Sequence, residues 1–202
     1  MSQQVKMGRP KQTDDERQVK VDKIIQAAQS LFVAEGYTSV SMRKIAAKAD
    51  MGTMTLYKYF PNKNAILHHI WAQFFDELFS LIRADVGNEK DAKGQLRKMC
   101  ITYLNYWVEH KDRFHIVFLN EDRASSSDEF FINHTNVVGE MLVVIAPIMQ
   151  DLVGHVGDSS VMVFLESLMC FVHGIALNVI TIGEYPWNNY EKYIDIFLDA
   201  TL

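Results

Sequence analysis

The stretch Ser41–Lys63, SMRKIAAKADMGTMTLYKYFPNK, constrains this chain more than any other. Ser41 is a good N-cap, because its hydroxyl can accept a bond from a free amide of the first helical turn. Met42 to Ala49 supplies strong helix formers, with Ile45 and Ala46 on one face and Arg43, Lys44 and Lys48 as charged positions. Asp50-Met51-Gly52 breaks that helix, since Asp and Gly both tolerate the left-handed backbone of a sharp turn. Thr53 to Phe60 forms a second short helix. Leu56 and Phe60, at i and i+4, are available to pack inward, and Thr53, Thr55, Tyr57, Lys58 and Tyr59 supply hydroxyls and a charge elsewhere. Pro61 ends it, and Asn62 caps a third helix.

Two short helices joined by a turn of a few residues are what a helix-turn-helix needs. The second must be slim and polar outside to enter a major groove while its inner side packs on the first. A helical hairpin in an ordinary core fits the same pattern, and on pattern alone the two readings stand level.

The residues themselves go further. Ala28, Leu31, Phe32, Gly36, Tyr37, Ile45, Ala46, Leu56, Tyr57, Phe60 and Lys63 sit in the block IIQAAQSLFVAEGYTSVSMRKIAAKADMGTMTLYKYFPNKNAIL, which begins at Ile24. This block resembles the DNA-binding domain of the TetR family of bacterial transcriptional regulators, position by position, over about the first third of the chain. It departs from the family pattern at Asp50, where the turn Gly is usual, at Gly52, where Ser is common, and at Met54, where Gly or Ala is common. Those departures bear on which bases are read. The resemblance implies an all-α chain: a three-helix helix-turn-helix DNA-binding domain, then a helical ligand-binding and dimerisation domain. The expected divisions are a flexible basic arm over 1–12, the helix-turn-helix domain over 13–62 and the effector-binding body over 63–202.

Charge agrees with that division. Residues 1–64 hold 11 Lys+Arg and 6 Asp+Glu, whereas the remainder holds 9 and 19. A basic front and an acidic back suggest that only the front meets a polyanion. Cys100 and Cys170 both lie in apolar helical surroundings with no metal-ligand spacing, and read as buried thiols in a reducing, cytoplasmic compartment. The start MSQQVKMGRPK is polar and basic, unlike a secretory signal. Val161 to Ile182 is the least polar run, long enough to raise the membrane question. It carries Glu166, His173 and Asn178, and is read instead as a helix buried on one side by its own core and on the other by a partner subunit, with no membrane.

Along the chain, Thr13 and Glu16 form a capping box that opens a helix to about Glu35, with Ile24, Ala27, Ala28, Leu31 and Phe32 as its buried stripe and Gly36 as its stop. A long helix follows Asn62 to about Asp85. Ile66, Leu67, Ile70, Phe74, Leu78 and Leu81 form its stripe, and Trp71, Phe75 and Phe79 a second apolar side. Further helices are predicted over Asp91–His110, over a short piece Asp112–Asn120, over Asp128–Val153 with Pro147 as a kink, over Ser159–Ile182 and over Trp187–Ala200.

Carried over by position from the resemblance, the DNA-binding candidates are Arg9, Ser41, Arg43, Lys44, Thr53, Met54, Thr55, Tyr57, Lys58, Tyr59 and Lys63. Arg9, in an extended Gly-Arg-Pro arm, suits a narrow minor groove. Arg43 can fork onto a guanine edge, Thr53 and Thr55 can bond a base edge or phosphate, and Met54 can touch a thymine methyl. Tyr57, Tyr59, Lys44 and Lys63 are phosphate candidates.

The body carries no Gly-rich phosphate loop, no HExxH and no Cys cluster, so it is read as no enzyme, with no metal and no cofactor. Its apolar volume with scattered polar tips, and a chain total of ten Met, suit an adaptable pocket. Tyr103, Tyr106, Trp107, Phe114, Phe118, His134, Met141, His173 and Asn178 are its candidate lining. The expected partners are an operator duplex, a second copy of the chain and a small-molecule effector that releases a repressor. The alternative keeps the DNA-binding dimer but gives the body no effector, only dimerisation or a protein partner.

Overall fold

The computed structural model describes residues 13–119, 137–153 and 159–202. Among them no strand occurs. The helices are α1 (Asp14–Glu35), α2 (Met42–Lys48), α3 (Thr53–Leu56), α4 (Lys63–Val86), α5 (Ala92–Glu109), α6 (Lys111–Phe118), α7 (Val137–Val153), α8 (Ser159–Thr181) and α9 (Tyr190–Thr201). Arg9 and its arm, the Ser-rich run from Glu121 to Asp128, His134 and the turn from Gly154 to Asp158 lie outside the described residues. The chain divides into two compact units between Leu67 and His68, a point inside α4.

In the first unit, α1 opens on the reciprocal capping box: the Thr13 hydroxyl accepts from the Glu16 amide at 3.2 Å, and the Glu16 carboxylate accepts from the Thr13 amide at 3.3 Å. Ile24, Ala28 and Phe32 are buried along its inner stripe. Gly36, at φ 76° and ψ 152°, ends it in a region that only glycine adopts freely. α2 is capped by Ser41, whose hydroxyl accepts from the Lys44 amide at 3.3 Å.

The end of α2 is a Schellman motif. The Met51 amide reaches back to the Ala46 carbonyl at 3.0 Å, and the Asp50 amide to the Ala47 carbonyl at 3.2 Å. Asp50 takes the left-handed position at φ 52°, the one non-glycine residue with positive φ among those described. Gly52 is not left-handed but extended, serving as the N-cap of α3. α3 itself is shorter than the span Thr53–Phe60 read from the sequence. After Leu56 the chain tightens into i→i+3 bonds, Lys58 to Thr55 and Tyr59 to Leu56, before Pro61.

In the second unit, α5 is the central element and packs on α6, α7, α8 and α9. Leu96, Leu104 and Trp107 along it are fully buried. Tyr106 ties three helices together: its hydroxyl donates to the Phe74 carbonyl of α4 at 3.0 Å and accepts from Arg113 of α6 at 2.8 Å. Arg113 also meets Glu77 of α4 at 2.6 Å, and the Trp71 indole of α4 donates to the Ile116 carbonyl of α6 at 3.3 Å. Arg97 of α5 holds α9 through Asp195 at 2.5 Å and Glu191 at 3.2 Å.

Three details correct the sequence reading. Leu81 is 46% exposed, because the stripe of α4 steps from Leu78 to Ile82, which is buried. Cys170 is exposed, although Cys100 is buried. α8 is apolar nearly all round, so composition could not tell which side faces out. The last helix begins at Tyr190, not Trp187, because the Asn189 side chain accepts from the Glu191 amide and sets the start there. α8 is long and apolar enough to cross a membrane by length and composition, and 28% of its most apolar window is buried within the chain.

Two outcomes follow from these contacts. Asp50→Ala should destabilise the first unit by about 1 kcal/mol in thermal or urea unfolding, because alanine resists the left-handed conformation, whereas Asp50→Gly should not. Equal losses for both would mean that the carboxylate, not the backbone, matters there. The second concerns Asp195, whose carboxyl is held below its ordinary value of 3.8 first by the hydrogen bond from Arg97. The stability it lends is therefore complete above that ordinary value and fades as pH falls through the lower folded value. Both partners are partly exposed, so the contribution is small. Asp195→Asn should lower the melting temperature at neutral pH, and the gap from the unmutated chain should close in strong acid. A gap independent of pH would assign Asp195 another role.

Candidate nucleic-acid interface and body cavity

α3 stands on two buried side chains. Leu56 is fully buried and Phe60 is buried just beyond the helix, while α2 packs on both α1 and α3. With its inner side so anchored, α3 turns Met54 (78% exposed), Tyr57 (47%) and Lys58 outward, and leaves Thr53, Thr55 and Tyr59 half-buried at its flanks. Ser41 and Arg43 are exposed at the start of α2.

The cations here are of two kinds. Lys44 reaches Glu35 at 2.5 Å and the Ser39 carbonyl at 3.2 Å. Lys63 donates to the Tyr37 carbonyl at 2.7 Å and lies 3.9 Å above the centre of the Tyr37 ring. The Tyr37 hydroxyl in turn donates to Asn64, so the first turn of α4 is latched to the loop after α1. Arg43 and Lys58, by contrast, make no ion pair among the described residues.

The second unit holds a partly open cavity of about 80 Å³. Its wall comes from four helices: Phe75, Phe79 and Ile82 of α4, Met99, Cys100 and Tyr103 of α5, Met141 of α7, and Leu168, Met169 and Val172 of α8. Among the described residues no charged side chain is on it. Burial pushes the Cys100 thiol up to about 12 and pushes the Tyr103 phenol up as well, so both stay neutral at physiological pH.

Of the nine residues the sequence offered for a pocket, Tyr103 and Met141 are on this wall. Trp107, Phe114, Phe118 and His173 form an aromatic cluster behind it. Phe114 stacks on His173 at 5.3 Å between centroids, Phe118 meets His173 edge-on at 4.5 Å, and Trp107 meets Phe118 at 5.1 Å. Tyr106, 4.9 Å from Trp107, belongs to the clasp on α4 and α6. Asn178 donates to the Gly174 carbonyl at 2.7 Å and borders a separate open depression with Cys170 and Trp187. The sequence reading gave Phe75 and Phe79 to a second apolar side of α4 and did not offer them as cavity lining. The second apolar side of α4 was the available signal, since one stripe suffices to pack a helix.

With this geometry in hand, the comparisons are specific. Residues 24–70 match the family model described as bacterial regulatory proteins, tetR family. The probable HTH-type transcriptional regulator YttP of Bacillus subtilis is 26% identical over 99 residues, which is 48% of this chain and 48% of that protein. The HTH-type transcriptional repressor NicS of Pseudomonas putida is 26% identical over 133 residues, 64% of this chain and 61% of that protein. The match thus spans about half to three-fifths of the length of these curated relatives. Among solved structures, the transcriptional regulator FadR of Bacillus subtilis, in complex with stearoyl-CoA, has the same fold, with a TM-score of 0.70 at 19% identity over 90% of this chain and 98% of that one. Residues 24–70 therefore carry the helix-turn-helix domain of the tetR family of bacterial regulatory proteins, and the fold is shared with a solved transcriptional regulator over nearly the whole length of this chain.

Proposed function

We propose that this chain is a homodimeric transcriptional repressor that binds an operator through α2 and α3 and leaves it when a small apolar molecule occupies the cavity of the second unit. The observation that carries the proposal is α3, a single turn anchored from below by Leu56 with Met54, Tyr57 and Lys58 outermost. A major groove accepts such an element, and side chains at its start reach base edges. In this reading Arg43, exposed and without an ion pair among the described residues, forks onto a guanine, Met54 meets a thymine methyl, and Thr53 and Thr55 bond a base edge or phosphate. Ser41, Tyr57, Lys58 and Tyr59 set register on phosphates. Arg9 extends the contact into the minor groove. Lys44 and Lys63 act mainly by holding the head together, since their ammonium groups already have partners.

Dimerisation is supported by the outer faces of α8 and α9. Met162 and Val163 of α8 and Ile196 of α9 are exposed apolar side chains, and a second copy could bury them in a four-helix arrangement. Because α4 begins in the first unit and continues in the second, a ligand that favours one position of α4 changes the spacing of two heads on successive major grooves. NicS is named a repressor and FadR was solved with stearoyl-CoA, which supports repression and a small-molecule effector here. The matched relatives are regulators, not enzymes, and among the described residues no group of His, Cys, Asp and Glu could hold a metal.

A second reading keeps the DNA-binding dimer and gives the body no effector. It is favoured by the cavity volume: about 80 Å³ is below the roughly 300 Å³ at which drug-sized pockets begin. Met99, Met141 and Met169 on the wall are flexible enough to widen it, which favours the first reading. A thermal-shift screen of metabolites decides between them. The first reading expects at least one apolar compound to raise the melting temperature and to release DNA, and the second expects none to do either.

For the DNA-binding half, an operator can be selected from a random duplex library. Arg43→Ala should relax preference at one base pair, whereas Lys58→Ala should weaken all duplexes alike and lower the salt slope by about one. Equal loss on operator and random duplex for Arg43→Ala would remove it from the base-reading set. Lys63→Ala should weaken all sequences too, but with a lowered melting temperature, because it opens the latch on Tyr37.

A further inference from the structure

The chain has three tryptophans, and two of their indole N–H groups are bonded: Trp71 to the Ile116 carbonyl at 3.3 Å and Trp187 to the Ile182 carbonyl at 2.8 Å. Trp107 is the exception. It is fully buried, and its Nε1–H has no acceptor among the described residues. A buried donor left unmatched is costly, and natural cores rarely keep one without a use. This one lies beside the Tyr103 hydroxyl. It is near enough to work against the rise that burial imposes on that phenol, yet outside hydrogen-bonding geometry.

Tyr103 connects this orphan to the cavity. Its side chain is on the cavity wall, and its hydroxyl bonds His173 Nδ1 at 2.8 Å. A phenolic oxygen has one hydrogen to give and two lone pairs to receive with. If the hydrogen turns to a group in the cavity, the oxygen can receive the Trp107 N–H and, in the Nδ1–H tautomer, His173 as well. The Trp107 donor and the Tyr103 hydroxyl are then both matched. Only an acceptor in the cavity would draw that hydrogen away from His173, and among the described residues the wall offers none stronger than the Cys100 sulfur.

Charge narrows the class further. Among the described residues the wall carries no cation to meet an anion and no carboxylate to meet a cation, and the same burial keeps Cys100 and Tyr103 neutral. A charged group there would lose its water without gaining a partner.

Resting on the reading of the cavity as an effector site, we propose that it takes an uncharged, mostly apolar molecule with one oxygen acceptor, a ketone or ester, which receives the Tyr103 hydroxyl while the Trp107 N–H closes onto the hydroxyl oxygen. The hydrogen bond between Tyr103 of α5 and His173 of α8 then changes character with occupancy, so the ligand is felt on α8.

The test uses three probes of similar size on the full chain without DNA: acetophenone, ethylbenzene and benzoate. By calorimetry, acetophenone should bind roughly tenfold more tightly than ethylbenzene, the difference one good hydrogen bond makes, and benzoate least of all. Tyr103→Phe should bring acetophenone down to the affinity of ethylbenzene. In nitrogen-labelled protein, the Trp107 indole proton should move downfield with acetophenone and stay put with ethylbenzene. Equal affinities for the first two probes, stronger binding of benzoate, or no binding of any of them each overturns the proposal, even if Tyr103→Phe does not fold. DNA release is read separately. Acetophenone bound as expected without release leaves this inference standing and removes the effector role. Release by ethylbenzene with no preference for acetophenone does the reverse.

Discussion

A helix of four residues has no stability of its own, because one turn fixes several dihedral angles for a single hydrogen bond. α3 exists because Leu56 is buried without remainder beneath it and Phe60 is buried one turn on. That anchorage sets everything about the head. It leaves α3 thin enough to stand out from its support, and it decides which side chains face outward. It also demands that α2 arrive at the correct angle, which the Schellman turn through Asp50 provides. α2 packs on α1, whose length and caps make it a platform, and the Lys63 latch fixes where α4 departs.

The second unit solves a different problem. α5 packs on four helices, so its inward side chains are apolar, and its buried polar groups must find partners inside. Tyr106 finds two, Thr102 finds Asp85 at 2.6 Å, and Tyr103 finds His173. These bonds run across helices, not along them, so they specify how α4, α6 and α8 sit on α5. The cavity lies where the packing of four helices does not close, and flexible methionines line part of the gap.

Much of this was legible in the residues. The capping box at Thr13, the Gly36 stop, the N-caps at Ser41, Asn62 and Asp91, and the buried stripe of α1 are local features, decided by a few neighbouring side chains. The ends of α3 and α9 were not, because there the last turn competes with i→i+3 bonding or with an alternative cap, and the difference in free energy is small. Leu81 and Cys170 show a second limit. On α4 the stripe drifts past Leu81 to Ile82, since the 3.6-residue period does not return to the same face after a whole number of residues. On α8, apolar nearly all round, periodicity carries no direction. The cavity was legible as a composition but not as a wall: Trp107 and Phe114 pack the cluster behind it, while Phe75 and Phe79 border it.

The cations of the head show why residue type alone cannot assign a phosphate contact. Arg43, Lys44, Lys58 and Lys63 look equivalent in a sequence, each a basic residue in or beside the helix-turn-helix. Folded, they separate by what they already hold. Lys44 neutralises Glu35, and Lys63 gives one hydrogen to a backbone carbonyl while its charge rests on an aromatic face. Moving either onto a phosphate would break an existing contact, so the net gain is the difference between two bonds and not the whole of one. Arg43 and Lys58 hold no ion pair among the described residues and would surrender only water there. Two of the four are thus structural in the free protein, and the field that meets a duplex is set by where the unpaired charges stand more than by the count of basic residues.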